Sequence, residues 1–259
     1  MKPLEKVLCF RIFGSFAHFR KFYTNASSLS YLVPPRTVIT GMLGSILKLP
    51  RDSYYELFNE EDCQISAAIS QAAVIKKTTQ SVNLLHFKYY KFLIDGKTDF
   101  DSIHSPCKIE LLISSPGCFI EYLVYVAVPP GSSFFPELEF KLKNNDFGYG
   151  LYLGQRQFRA DAQYLGTYSG QEIGVPEPAE TLDSLCLREN VMELSGNDDT
   201  HVVIEHHPSR MKRVEDSQKG ESGRETTAVE SVLFERNGKR IHGQFKNCRR
   251  IGDRVISFY

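Results

Sequence analysis

The sequence predicts an α+β fold, because segments with β-strand spacing alternate with two segments of helical spacing. Residues 7–13 alternate two apolar sets, as in a strand buried on both faces, and Arg11 interrupts one of these sets. Residues 63–74 contain a second alternating run, and residues 119–128 are a continuous run of β-branched and aromatic side chains. We expect these three strands in one central sheet.

Two helices are predicted between the strands. The first begins at about Thr37, because a Pro-Pro pair just before it forces extended backbone and apolar residues then recur at helical spacing. Pro50 ends this helix. The second is a short helix within residues 133–143, with Pro136 near its start.

Residues 75–106 are predicted to leave the core as an inserted hairpin. They contain an Asp95-Gly96 pair that favours a tight turn. Lysines and aromatic rings are interspersed along the segment, which suits contact with nucleotides or with partner subunits. An ordinary variable loop is the alternative interpretation. The lysines of interest are Lys76, Lys77 and Lys88.

The C-terminal third is predicted to be β-rich. The strongest hairpin signal joins residues 229–235 to residues 240–245 through Asn237-Gly238. A last strand is expected at residues 254–259. The polar residues 216–227 are predicted to form a mobile loop.

The composition limits the class of protein. The chain has 259 residues and 42% hydrophobic content, which is enough for one substantial core without disulfides or metal. It has no run of about 18 apolar residues and no signal-peptide pattern, so we expect a soluble cytoplasmic protein without a membrane segment. Its six cysteines are scattered without a Cys-x-x-Cys pair, so we expect no metal and no cofactor.

Charge is segregated along a chain whose net charge is zero. Residues 1–51 contain eight Lys or Arg and one acid, a net charge of +7, whereas residues 171–205 contain nine acids and one Arg, a net charge of −8. Screening acts within about 8 Å at physiological salt, so a neutral protein can still carry a local positive patch. A solvated basic edge without a ligand is the alternative.

The segment of residues 11–44 combines a strand, a basic aromatic loop and a helix start, and it predicts an RNA contact. Cations attract phosphate, and flat rings stack on unpaired bases. The cations are Arg11, His18, Arg20, Lys21 and Arg36, and the rings are Phe13, Phe16, Phe19, Phe22, Tyr23 and Tyr31.

Glycines mark two further places where a backbone is approached closely. Gly41 and Gly44 lie in one turn of the first helix at a cost of roughly 1 kcal/mol each, which indicates contact with either the sheet or a ligand. A second cluster has the spacing of neither a Walker loop nor a dinucleotide fingerprint, so the alternatives are a phosphate-binding loop and a tight turn without a ligand. It contains Gly148, Gly150 and Gly154, followed by Arg156 and Arg159.

Three segments resemble the Cas-five family, the RAMP-superfamily subunit of type I CRISPR Cascade complexes, and most of all its type I-B branch. They are FRIFGSFAHFRKFYTN, YLVPPRTVITGMLGSILKL and YGLYLGQRQFRADAQYLGTY. The resemblance implies a ferredoxin-like, RRM-related domain over residues 1–170 with a β-hairpin thumb inserted at about residues 75–106. Residues 171–259 would then be a β-rich extension packed on the same domain.

The resemblance also implies a non-catalytic subunit that caps the 5′ handle of the CRISPR RNA and contacts the Cascade backbone subunit and large subunit. Target DNA would lie nearby and be read by guide pairing. Besides the cations named above, the implied RNA-binding positions are Phe13, Gly14, Phe16, Tyr23, Pro35, Thr37, Gly41, Lys76, Lys77, Lys88, Gly148, Gly150, Gly154 and Arg156.

Two other functions stay open. The type I-C relatives cut precursor RNA without metal, and the close set that could supply an acid and a base here is His18, Tyr23 and Lys21. A protein-interaction module whose rings pack against other subunits is the third possibility.

Overall fold

The computed structural model describes residues 6–24, 28–70, 74–85, 94–96, 104–196, 199–216 and 221–259. The described residues form mainly β-sheet with a few helices, which confirms the α+β class. The helices are α1 (Arg36–Ile46) and α2 (Phe135–Asn144). The strands are β1 (Lys6–Gly14), β2 (Phe16–Ala17), β3 (Phe19–Arg20), β4 (Ser30–Tyr31), β5 (Gln64–Ile69), β6 (Lys76–Leu85), β7 (His104–Ile113), β8 (Ile120–Val128), β9 (Leu151–Tyr152), β10 (Arg159–Ser169), β11 (Ile173–Gly174), β12 (Ala179–Leu182), β13 (Cys186–Leu187), β14 (Val191–Leu194), β15 (Val202–Asp216), β16 (Glu221–Glu235), β17 (Ile241–Phe245), β18 (Cys248–Ile251) and β19 (Arg254–Ser257).

The central sheet has five strands in the order β5-β8-β1-β10-β9, and all of its pairs are antiparallel. Along the chain, its main elements follow as β1-α1-β5-β8-α2-β10. The three predicted strands therefore lie side by side. β1 is central because both faces are apolar, as its sequence predicts: Leu8, Phe10 and Ile12 join the large core with the helices, and Val7 and Cys9 join a second core on the other face.

Helix α1 begins at Arg36, one residue before the predicted start, with Pro35 as its N-cap. Its two glycines are explained by a tyrosine ring. A Cβ at Gly44 would lie 2.7 Å from the ring of Tyr54, and one at Gly41 would lie 3.3 Å from the Tyr54 hydroxyl. The close approach to α1 is therefore made by the side chain of Tyr54.

The predicted excursion is an antiparallel hairpin of β6 and β7, inserted between β5 and β8. Its pairing runs from Lys76 opposite Ile113 to Leu85 opposite His104. Asp95 and Gly96 form a turn that follows a helical residue, Ile94, and Gly96 is in the left-handed region at φ 64°. Residues 86–93 and 97–103, on either side, lie outside the described residues. Lys88 lies outside the described residues.

Two predictions for the C-terminal third are wrong. The turn at Asn237-Gly238 forms, but β16 pairs with β13 and β15, whereas β17 pairs with β12 and β14. The turn therefore passes the chain from one sheet to another. The turn can form without pairing of its flanking strands because the Glu235 carboxylate stabilises it. This carboxylate accepts hydrogen bonds from the backbone N–H groups of Asn237 and Lys239 at 2.7 Å each.

The second error concerns the loop predicted at residues 216–227. Strand β15 runs to Asp216 and β16 begins at Glu221, so the two form a long antiparallel hairpin. Cross-strand pairing of opposite charges supports it, as between Lys212 and Glu225 at 3.1 Å. Polarity alone suggested disorder, but a hairpin of two exposed strands needs no apolar face along its whole length.

The C-terminal part packs on both sides of the central sheet. The backbones of Ile65 and Tyr259 exchange hydrogen bonds of 3.0 and 3.1 Å at the edge of β5. Val232 and Phe234 join the core on the helix side, and a second group covers the opposite face of the sheet. That group consists of Ile251, Ile256 and Phe258. One end of the second face, around Arg11, stays outside this cover.

Candidate nucleic-acid interface

The basic aromatic loop after β1 is tied to the base of the inserted hairpin. Strand β2 pairs with the end of β7, and the backbones of Ser28 and Glu110 are joined by a 2.9 Å hydrogen bond. The ammonium of Lys77 donates to the Ser30 carbonyl at 2.7 Å and to the Glu110 carboxylate at 3.2 Å. Loop and hairpin therefore form one structural unit, and Lys77 is engaged within it. Lys76 is exposed on the same strand.

His18 is an interior residue of this unit, so the prediction that it contacts RNA needs correction. Its side chain is only 1% exposed. Nδ1 lies 2.6 Å from the Glu110 carbonyl, and Nε2 lies 2.8 Å from the Ser28 hydroxyl. Burial lowers the pKa of His18, although the Glu110 hydrogen bond acts in the opposite direction. Both ring nitrogens are therefore occupied, which leaves neither placed to act on a ribose hydroxyl.

Arg36 is the largest correction. It was predicted to hold phosphate, but it is 3% exposed and its guanidinium faces the interior. One nitrogen donates to the carbonyls of Phe58 and Cys63 at 2.7 Å each. The other two donate to the main-chain oxygens of Tyr259 at 3.2 Å and Ser209 at 3.3 Å. Arg36 thus joins the start of α1 to three distant parts of the chain.

Lys21 is likewise held by a partner within the protein. Its ammonium lies 2.9 Å from the carboxylate of Glu205, and the side chains are only 15% and 9% exposed. The other oxygen of Glu205 lies 3.3 Å from Nε2 of His207. Burial alone would raise the pKa of Glu205, but these two partners lower it to about 2. The basic N-terminal segment and the acidic segment therefore meet here. Of the three cations predicted to form a local positive patch, Lys21 and Arg36 are held inside the protein, and Arg20 is exposed.

The glycine-rich loop is anchored to the end of α1. The backbone N–H groups of Gly148 and Tyr149 donate to the carbonyls of Ile46 and Ser45 at 3.1 and 3.0 Å, which satisfies the carbonyls that a helix end leaves free. Further along, the N–H of His18 donates to the Leu153 carbonyl at 3.0 Å. The loop therefore connects α1 to the basic aromatic loop.

Two of the three predicted loop glycines are required by packing and not by a ligand. Gly154 has φ 89°, and a Cβ there would overlap the carbonyl of His18. A Cβ at Gly148 would overlap Lys48. At Gly150 a Cβ would meet nothing within 4 Å, so this is the position of the three where the backbone is open to a ligand.

Two surface cavities border this loop and bring several predicted positions together. One, of about 190 Å³, lies between α1 and the loop and is lined in part by Thr37, Gly41, Gly150 and Gly154. The other, of about 490 Å³, lies at the end of the central sheet and is lined in part by Phe13, Gly14, Gly148 and Gly150. The three sequence segments that carry the family resemblance therefore converge on one surface.

Several of the predicted rings and cations are exposed. Among the predicted residues, Phe16 is 48% and Tyr23 55% exposed, and Arg20 and Arg156 are exposed. Arg11 lies 4.9 Å from the ring of Phe13, as expected for two residues on the same strand face. The rings and the arginine next to the predicted glycines, Tyr149, Tyr152 and Arg159, are exposed as well. The sequence reasoning missed Phe119 as a binding position, although it is an exposed ring just before a strand.

The three groups proposed for catalysis do not form an open acid–base set. His18 is enclosed, Lys21 is paired with Glu205, and Tyr23 is exposed at the loop tip. In the described part of the chain, no group of three or more His, Cys, Asp or Glu side chains is arranged to hold a metal. The same residues include no helix long and apolar enough to cross a membrane.

No protein-family model matches the sequence, and no curated protein does. Solved structures do match, and several of them are named as CRISPR or Cas proteins. A crystal structure of a CRISPR protein from Archaeoglobus fulgidus aligns with a TM-score of 0.57 at 12% identity, covering 96% of this chain and 98% of that chain. This likeness shows a shared fold over nearly the whole length.

Two further structures are less similar. A chain of a CRISPR RNA-guided surveillance complex aligns with a TM-score of 0.48 at 11% identity, covering 92% of this chain and 90% of that one. A chain of the type III-B Cmr-beta complex, bound to cognate target RNA and AMPPnP, aligns with a TM-score of 0.44 at 11% identity, covering 92% and 86%.

Proposed function

We propose that this protein is a non-catalytic, RNA-binding subunit of a type I CRISPR Cascade complex, a Cas-five family member most like the type I-B branch. In this role it caps the 5′ handle of the CRISPR RNA. The observation that carries the proposal is the convergence of the loop after β1, the helix α1 and the glycine-rich loop on one surface with exposed rings, arginines and two cavities. The fold shared with the Archaeoglobus fulgidus CRISPR protein supports it.

The order of elements supports the finer assignment to a ferredoxin-like RAMP domain. Strands and helices follow as β-α-β-β-α-β, with the sheet order β5-β8-β1-β10. The hairpin of β6 and β7 interrupts this series between its second and third strands, where the thumb of the family is expected. We assign the thumb to this hairpin. In the cytoplasmic complex, the Cascade backbone subunit and large subunit would contact neighbouring surfaces of this protein.

RNA binding in this proposal differs from the sequence-based picture in its cations. Arg36 and Lys21 serve the protein interior, so phosphate contact is assigned to the exposed Arg20, Arg156 and Arg159. Exposed rings such as Phe16 and Tyr23 stack on unpaired bases. Because the cations are few, the protein holds a few nucleotides and needs no overall positive charge.

The placement of His18 and Lys21 favours capping over cleavage. An imidazole that acts on a ribose hydroxyl must reach it within about 2.6–3.2 Å, and His18 is enclosed with both nitrogens occupied. Tyr23 is the accessible member of the set.

The test uses the purified full chain, labelled CRISPR repeat RNA and buffer without divalent metal, and it measures the dissociation constant at several salt concentrations together with cleavage. We expect salt-dependent binding without cleavage. Arg156→Gln combined with Arg159→Gln should lower the slope of log affinity against log salt by about 0.7 per lost contact, as for single strands. Arg236→Gln combined with Lys246→Gln, both at exposed positions, is the charge-matched control.

Two results would overturn the proposal. The first is binding that does not depend on salt or on the arginine pair. The second is cleavage without metal that Tyr23→Phe abolishes, which would establish an endoribonuclease.

A further inference from the structure

One end of the second face of the central sheet is open. The C-terminal strands cover Val7 and Cys9 on this face. Further along β1, the side chain of Arg11 stays 36% exposed beside Phe13. The ring of Phe119, which precedes β8, lies 5.5 Å from that of Phe13 and is 53% exposed. An aromatic surface on the two central strands is therefore left uncovered within the described chain.

This surface is one wall of the 490 Å³ cavity, which we call the ring pocket. The pocket is lined by Phe13, Phe119, Phe147, Tyr149, Arg159 and Asp161, among others. Tyr149, on the glycine-rich loop, is 51% exposed. The volume lies within the range of about 300–1,000 Å³ that is typical of small-ligand pockets.

The walls of the ring pocket are held in place by the fold. The loop that carries Tyr149 is bonded through its backbone to the end of α1. On the opposite side, a Cβ at Gly14 would lie 2.6 Å from the Arg159 carbonyl, so β1 and β10 meet tightly at the pocket edge. A ligand would therefore find a preformed site, which reduces the entropy cost of binding.

The charged groups of the ring pocket are not used by the protein. Among the described residues, the side chains of Arg159 and Asp161 form no hydrogen bond or ion pair. A guanidinium binds phosphate, and a carboxylate accepts a hydrogen bond from an exocyclic amino group of a base. The half-exposed rings therefore suit the face of a nucleobase, the guanidinium suits its phosphate, and the carboxylate suits its amino edge.

We propose that the ring pocket takes one unpaired nucleobase of the bound RNA, with its faces against Phe119 and Tyr149 and its phosphate at Arg159. Asp161 favours a base with an exocyclic amino group over uracil. This inference rests on the proposed function and deepens it, because it assigns one nucleotide to a pocket whose walls only the tertiary structure brings together.

The test uses short single-stranded oligouridylates in which one uridine is replaced by 2-aminopurine, a fluorescent base with an exocyclic amino group, at successive positions. Stacking on an aromatic ring quenches its fluorescence. With the full-length protein, we expect quenching at one position and tighter binding than that of plain oligouridylate. Phe119→Ala and Tyr149→Ala should each remove that quenching and weaken binding roughly 5- to 150-fold, which is the usual effect of losing a stacking ring.

Two controls isolate the ring from the fold. Phe119→Leu keeps the apolar bulk next to Phe13 without an aromatic face, so it should also lose the quenching while its thermal midpoint stays close to that of the wild type. Phe140→Ala removes a ring that is 60% exposed on α2 and does not line the ring pocket, so it should change neither signal.

The outcomes separate the two proposals. If the wild type binds repeat RNA but the Phe119 and Tyr149 variants quench and bind as it does, the ring pocket holds no base and the proposed function stands. Loss of assembly with other subunits in these variants, with RNA binding unchanged, would assign the pocket to a protein side chain and also overturn the inference. If the wild type binds neither repeat RNA nor the oligouridylates, the proposed function itself fails.

Discussion

Replacement of Arg36 by Met should lower the free energy of unfolding of the protein without removing an RNA contact. Arg36 is buried and donates to four main-chain oxygens. Methionine retains much of the apolar length of the side chain but offers no donor. Burial also lowers the pKa of Arg36, which is the usual consequence when a cation is removed from water.

The magnitude follows from the acceptors that lose a partner. The carbonyls of Phe58 and Cys63 accept the two short bonds of 2.7 Å, whereas the Tyr259 oxygen keeps a second bond from the N–H of Ile65 at 3.0 Å. A buried acceptor without a partner costs about 1–3 kcal/mol, so two of them should cost about 2–6 kcal/mol. A domain is stable by about 5–15 kcal/mol, so this loss is a large part of the total.

Urea unfolding measures this effect directly. The chain has no Trp, so far-UV circular dichroism is the suitable signal. We expect a lower midpoint with an unchanged slope, which indicates a change in stability alone. Arg20→Met is the matched control, because Arg20 is exposed in the same basic segment, and its effect should stay within about 0.5 kcal/mol. An Arg36→Met protein that unfolds like the wild type and binds RNA more weakly would refute the reasoning.

Three further predictions concern buried charge and backbone shape. Lys21→Met and Glu205→Gln should show a coupling free energy above about 1 kcal/mol in a double-mutant cycle, because the pair is largely buried. The more exposed i,i+4 pair Lys143–Glu139 should show a smaller coupling free energy, and equal values for the two pairs would contradict us. His18 and His207 have a lowered pKa because of burial, so their contribution to stability is complete above their ordinary value of about 6.5 and is lost as the pH falls below it. The thermal midpoint should therefore decrease as the pH is lowered from about 7.5 to about 5.5, and it should decrease less in His18→Gln. A midpoint that stays constant over this pH interval would exclude the effect. Gly154→Ala should lower the free energy of unfolding by at least about 1 kcal/mol, because φ is 89° and the Cβ would overlap the His18 carbonyl. Gly150→Ala, the control, should be nearly neutral. Similar melting temperatures of the two variants would contradict the prediction that packing requires Gly154.

Local patterns predicted the central elements well, since each depends on residues close in sequence. The alternation of residues 7–13 is set by the two cores on the faces of β1, and the helical spacing after Thr37 is set by one face of α1. The hairpin predicted at Asn237-Gly238 shows the limit of such reasoning. The turn is local and forms, but the partner of each flanking strand is chosen by residues far away in the chain.

The site shows the same division. Sequence alone identified the three segments that meet at the two cavities, because rings, glycines and basic residues are clustered along the chain. It did not distinguish an arginine that faces solvent from one that holds the interior together. Arg36 and Arg20 lie in the same basic segment, yet the first is 3% exposed and the second is on the surface.

The sequence by itself determined that this protein has an α+β fold, an inserted hairpin and a basic, aromatic N-terminal segment. The tertiary structure decided which of those charges are available. Lys21 is neutralised by Glu205, and Arg36 is engaged by carbonyls from distant loops, while Phe119 and Arg159 come together beside Tyr149. The physical reason is that a charge acts through its burial and its nearest partners, and both are set by residues that lie far apart in the chain.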